Sequence, residues 1–97
     1  MLKRSSNPKK KWCVSFVKGD KRRTIHFGAT GYSDYTQHKD KERRARYIAR
    51  HQKRENFNDP FSAGFWAKKI LWGETTSVRT NFNKVVKQYN LKKPQNY

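Results

Sequence analysis

The chain reads as a small α+β domain: an N-terminal β-hairpin, a basic helix and two further helices. Three patterns predict it. Trp12–Val17 (WCVSFV) and Thr24–Phe27 (TIHF) alternate in the period of two that suits a half-buried strand. Val78, Phe82, Val85 and Tyr89 recur at spacings of four, three and four, which marks one face of a helix. Between these lies Lys39–Arg54, with eight Lys or Arg against two acids and no Gly or Pro from Tyr32 to Phe57.

Length bounds the fold. Ninety-seven residues make one domain. Residues 1–11 are expected to form a basic arm, 12–91 the folded part and 92–97 a polar tail. The arm, MLKRSSNPKKK, has no apolar stretch of the kind a secretory signal needs, and by composition it is disordered in isolation. Hydrophobic residues are 33% of the chain, so the core is small, and aromatic residues at 14% must fill much of it.

The hairpin follows. Trp12, Val14 and Phe16 fall on one side of the first strand, Ile25 and Phe27 on one side of the second. Lys18–Arg23 is read as the connecting loop, with Gly19 free to take the positive φ of a tight turn. Two strands alone are marginal in water, so a helix must cover the apolar side. Gly28-Ala29-Thr30-Gly31 is a strand-to-helix connection. Its Gly-x-x-Gly spacing lacks the Lys-Ser/Thr ending of a phosphate-binding P-loop.

Ser33 or Asp34 is a suitable N-cap for the basic helix. At about 100° per residue, Lys39, Arg43, Arg46, Arg50, Lys53 and Arg54 share one side, with Ala45 and Ile48 opposite and Tyr47 at the border. Asp40–Arg44 and Glu42–Arg46 have the spacing of acid-first helical ion pairs. These six cations form the candidate anion-binding site. Pro60 ends the segment, because the residue before a proline avoids helical geometry. Ser62 is placed to cap a short helix over Ala63–Trp72, with Gly73 beyond its end and Gly64 marking a close contact. Phe65, Trp66, Ile70, Phe82 and Val85 are the expected core. Trp12, Tyr32, Tyr35 and Trp72 are the candidate interface aromatics.

Catalytic chemistry finds little support. Cys13, His26, His38 and His51 lie 13, 12 and 13 residues apart, without the close ligand pairs that nucleate a structural zinc site. No metal and no cofactor is expected. Seven carboxylates scattered among 24 Lys and Arg form no evident acid–base dyad, so the chain does not read as an enzyme. One cysteine permits no intrachain disulfide. No apolar run approaches the ~20 residues of a membrane span. The net charge of +17 opposes compactness and calls for an anionic partner.

The run FGATGYSDYTQHKDKERRARYIARHQKREN, followed by DPFSAGFWAKKILW, resembles an uncharacterised family of small basic proteins encoded by large double-stranded DNA viruses of eukaryotes. The pattern covers about half the chain. The resemblance implies a virion component and brings no catalytic residue with it. Two functions follow as expectations. The first is a minor structural (capsid) protein of the virion, bridging acidic coat-protein surfaces through basic and aromatic contacts. The alternative is a sequence-independent nucleic-acid-binding protein that compacts DNA.

Overall fold

The computed structural model describes residues 1–94. The fold is α+β, a three-stranded antiparallel sheet followed by helices. Strands β1 (Leu2–Arg4), β2 (Lys10–Lys18) and β3 (Lys21–Ala29) lie in the order β1-β2-β3. Helices α1 (Tyr35–His38), α2 (Lys41–His51), α3 (Ala63–Trp66) and α4 (Val78–Gln88) follow, with a π-helical turn, Ala67–Leu71, continuing α3.

The expected hairpin is present and longer than its apolar residues suggested. Lys18 pairs with Lys21, so the turn is only Gly19-Asp20, with Gly19 at φ +65°. Arg22 and Arg23, assigned to the loop from sequence, sit in the ladder opposite Val17 and Phe16.

The expected disordered arm is corrected. Leu2 pairs with Val14 and Arg4 with Trp12, so the start of the arm is an edge strand. Ser5-Ser6-Asn7-Pro8 is the turn that returns the chain: Asn7 Oδ1 accepts from Lys9 N at 2.9 Å and Asn7 O from Lys10 N at 3.0 Å. Ordering here comes from backbone pairing, which hydropathy does not register. The tail also comes back. Lys92 and Val17 exchange backbone hydrogen bonds of 2.8 and 3.0 Å, extending the edge of β2 that β1 occupies. The last three residues of the tail fall outside the described region.

One long basic helix does not form. Asp34 caps α1 by accepting from Thr36 N at 2.9 Å, and the helix stops at Lys39, whose φ of 59° is left-handed. Asp40 then caps a second helix, accepting from Glu42 N and Arg43 N at 3.0 and 3.3 Å. Two aspartates six residues apart each offer the orphan N–H groups of a helix start a carboxylate, so the chain restarts rather than runs through. Those N–H groups, Arg43's above all, hold the Asp40 carboxyl below the usual range. Asp40 is thereby committed as a cap. Neither expected i,i+4 pair forms; among the described residues the ion pairs are Lys11–Asp34 and Lys84–Glu74.

Ser62 caps α3 as expected, accepting from Phe65 N at 3.1 Å. The helix then widens: Trp72 N–H reaches back five residues to Ala67 O at 3.1 Å. Asn81 of α4 serves the widened turn, donating from Nδ2 to Ile70 O and to Thr75 O, both at 2.8 Å. Ser77 caps α4, which follows its predicted stripe.

The core lies between the sheet and the second half of the chain. Phe65, Trp66, Ile70, Phe82 and Val85, all expected there, are buried together with Val14, Phe16, Phe27, Leu71 and Leu91. Trp66 is fully enclosed, and its indole N–H donates to Pro60 O at 2.7 Å. By contrast, α2 buries no residue at all.

Candidate functional site

A helix without a buried side chain needs another means of attachment. For α2 it is a row of half-buried residues, Arg44, Tyr47, Ile48 and His51, at i, i+3, i+4 and i+7. The Tyr47 ring lies flat on Trp72, with centroids 4.2 Å apart and planes 3° from parallel, and His51 stacks on its other face at 4.0 Å. Arg44 Nε donates to Trp72 O at 3.0 Å and Gly73 O at 2.8 Å, and its guanidinium lies 5.7 Å from the Tyr35 ring centroid. Arg44 thus serves the carbonyls left open where the π-turn ends. Burial, and secondarily the charge of Glu55, pushes the Tyr47 hydroxyl up to about 12. Ala45, expected on the inner side, is exposed instead.

This docking decides where the arginines go. Arg43, Arg46 and Arg50 are exposed and line one wall of a cleft of about 550 Å³. Lys10, Lys11 and Tyr32 line it from the sheet side, and Gly28, Gly64 and Leu71 contribute to its floor. Both glycines leave room that a neighbouring side chain occupies. A Cβ on Gly28, which also has φ +80°, would come within 2.6 Å of Leu71 Cδ1; one on Gly64 would lie 1.2 Å from Glu55 Oε2. The close contact expected of Gly64 is real, but its neighbour is a carboxylate and not another helix.

Lys11 does not contribute free charge to the cleft. Its ammonium donates to Asp34 Oδ2 at 2.7 Å, to Gln37 Oε1 at 2.9 Å and to the carbonyl of Tyr32. It therefore fixes the connection between β3 and α1, including the backbone that carries Tyr32.

The six cations chosen from sequence do not act as one face. Arg43, Arg46 and Arg50 share the cleft wall. Lys39 is the left-handed residue that ends α1, and Lys53 and Arg54 lie in the turn after α2. The four aromatics separate too. Tyr35 is 6% exposed; Trp12 is half-buried beneath the Arg4 guanidinium, 4.2 Å from its ring; Trp72 is stacked on Tyr47. Tyr32 alone of the four stands in solvent, at 75% exposure. Sequence reasoning missed Lys10 and the positioning roles of Lys11, Arg44 and Asn81. Only Asn81 left a trace, as a polar residue three places after Val78 on the apolar side of α4.

Cys13 and His26 are paired across β2 and β3, with Sγ 4.0 Å from Nε2, while Ser5 Oγ bonds His26 Nδ1 at 2.7 Å. No carboxylate orients that imidazole among the described residues, and burial holds the Cys13 thiol above its usual range. Among the described residues no three His, Cys, Asp or Glu gather as metal ligands, and no helix is long and apolar enough to cross a membrane.

A model of a family of unknown function, DUF5754, matches residues 1–51. The chain belongs to that family. No curated protein and no solved structure matches it. The DUF5754 match takes in the whole sheet, both aspartate-capped helices and therefore both walls of the cleft. The floor from α3 and the π-turn, and Trp72 on which α2 rests, come from the part of the chain beyond it.

Proposed function

We propose that this protein is a non-enzymatic minor structural component of a large DNA virus particle, bridging acidic surfaces within it. The viral setting rests on the resemblance of Phe27–Asn56 and Asp59–Trp72. What supports bridging is one observation: among the described residues, two of the cationic recesses lie apart and share no residue. One is the arginine-walled cleft. The other is a groove of about 220 Å³ between β1 and α4, with Leu2, Phe16, Phe82 and Val86 inside and Arg79, Lys92 and Lys93 at its edge.

An apolar groove with a basic rim suits a coat-protein surface that is apolar at its centre and acidic around it. The groove takes over the anchoring role first given to Trp12, Tyr35 and Trp72, which are spent inside the fold. Exposed Lys and Arg also come from the hairpin turn, α2, α4 and the returning tail, so charge surrounds the molecule rather than marking one side. That distribution fits a small part held between anionic neighbours.

The second reading, sequence-independent binding of nucleic acid, draws on the row Arg43, Arg46 and Arg50. Washing disrupted particles at about 1 M salt, where the Debye length is only ~3 Å, separates the two. Retention on shell fragments after nuclease treatment is the expected result. Release in the same salt step as the DNA overturns the structural reading.

A further inference from the structure

The geometry points to the α2 cleft as a site for a single nucleic-acid strand, with its phosphates on Arg43, Arg46 and Arg50 and a base stacked on Tyr32. This rests on the second reading, nucleic-acid binding by the row Arg43, Arg46 and Arg50, and narrows it to a single strand; it does not need the β1–α4 groove.

The three arginines occupy i, i+3 and i+7 of one helix, so they span about 10 Å along its axis on one wall. Guanidinium forks suit phosphate oxygens, which they can engage two at a time. Lys10 faces the same space from the start of β2. Lys11 and Asp34 cancel one another, so these four cations oppose one lining carboxylate, Glu55, and the cleft keeps a positive balance.

Tyr32 decides between polyanions. Among the described residues it is the large hydrophobic side chain left in solvent, and it sits on this cleft. Its backbone is held by Lys11, so the ring is presented from an anchored position. An unpaired base offers that ring a π-face, and such stacking is tolerant of sequence. A duplex keeps its bases inside, and an acidic peptide satisfies the arginines while giving the ring no face. A recess of this size also admits one strand more readily than a double helix.

The test uses the full chain and fluorescence anisotropy with labelled oligothymidylate of about 12 nucleotides, within the range that small single-strand binders cover. A duplex of equal length and polyglutamate are the competitors. The single strand is expected to bind tightest, with a log–log salt slope of about −2.8 for four contacts. Tyr32→Ala should weaken it about tenfold, Tyr32→Phe should leave it unchanged, and R43Q/R46Q/R50Q should flatten the slope. All four positions are exposed, so circular dichroism and melting should match the parent protein. Equal or tighter binding of the duplex or polyglutamate, or a Tyr32→Ala protein that binds as before, overturns the assignment.

Discussion

The Lys11 ammonium and the Asp34 carboxylate meet at 2.7 Å with side chains only 13% and 4% exposed, tying the first residues of β2 to the cap of α1. Asp34 also accepts from Thr36 N and Thr36 Oγ1, so one carboxylate ends a loop, starts a helix and binds a strand. The pair is enclosed enough that removing one partner strands a charge. Lys11→Met should lower stability by about 3 kcal/mol. Lys84→Ala, at the exposed Lys84–Glu74 pair, should change it by less than about 0.5 kcal/mol. Urea denaturation of the two variants checks the contrast; equal losses would mean that burial of the Lys11 pair is immaterial.

Tyr47 carries the attachment of α2, since that helix buries nothing fully. Tyr47→Ala should cost about 2 kcal/mol and speed amide exchange across Lys41–His51, while the Trp66 region stays protected. Uniform acceleration across the chain would contradict a separately docked helix.

The Tyr47 hydroxyl also sets an alkaline limit. Its folded value is near 12 against about 10 for a free tyrosine, so the folded state favours the protonated ring. Stability from this group is complete below pH ~10 and declines as pH rises toward 12, because the unfolded chain loses its proton first. Absorbance titration should show a tyrosine step near pH 12 that Tyr47→Phe abolishes. Persistence of that step in the variant would assign it elsewhere.

Asn81 is 2% exposed and its amide serves Ile70 O, Thr75 O and both donors of Thr75. Asn81→Leu has similar bulk but leaves those groups unpaired. A loss of about 2 kcal/mol is expected, measured by thermal or urea unfolding. A neutral result would show that water replaces the amide.

Gly64→Ala should change stability by less than about 1 kcal/mol, because the added methyl displaces only the far end of the flexible Glu55 side chain while alanine favours the helix over glycine. A double-mutant cycle with Glu55→Ala reads the coupling between the two positions. A loss above about 2 kcal/mol that Glu55→Ala relieves would show that the carboxylate is held rigidly in place.

What the sequence determined by itself was whatever follows from periodicity and local chemistry. Alternation in Trp12–Val17 marked the strands, Gly19 their turn, the stripe from Val78 to Tyr89 the last helix, and Ser62 the start of α3. Those signals are short-range, because strand faces, helix faces and caps are set by residues within a few positions of each other. The tertiary structure decided what depends on distant partners. Leu2–Arg4 became a strand only because β2 supplied its unpaired edge, and Lys92 closed on Val17 across the length of the chain. The charge run could not show its own break, since Lys39 is left-handed only because Asp34 and Asp40 each hold a helix start. Nor could it show which cations converge. Arg44 turned inward to carbonyls 28 and 29 residues away, Tyr47 came to rest on Trp72, and that docking set Arg43, Arg46 and Arg50 against Lys10 and Tyr32. A side chain's neighbours across a cleft are chosen by packing between elements, and no spacing within one element encodes that.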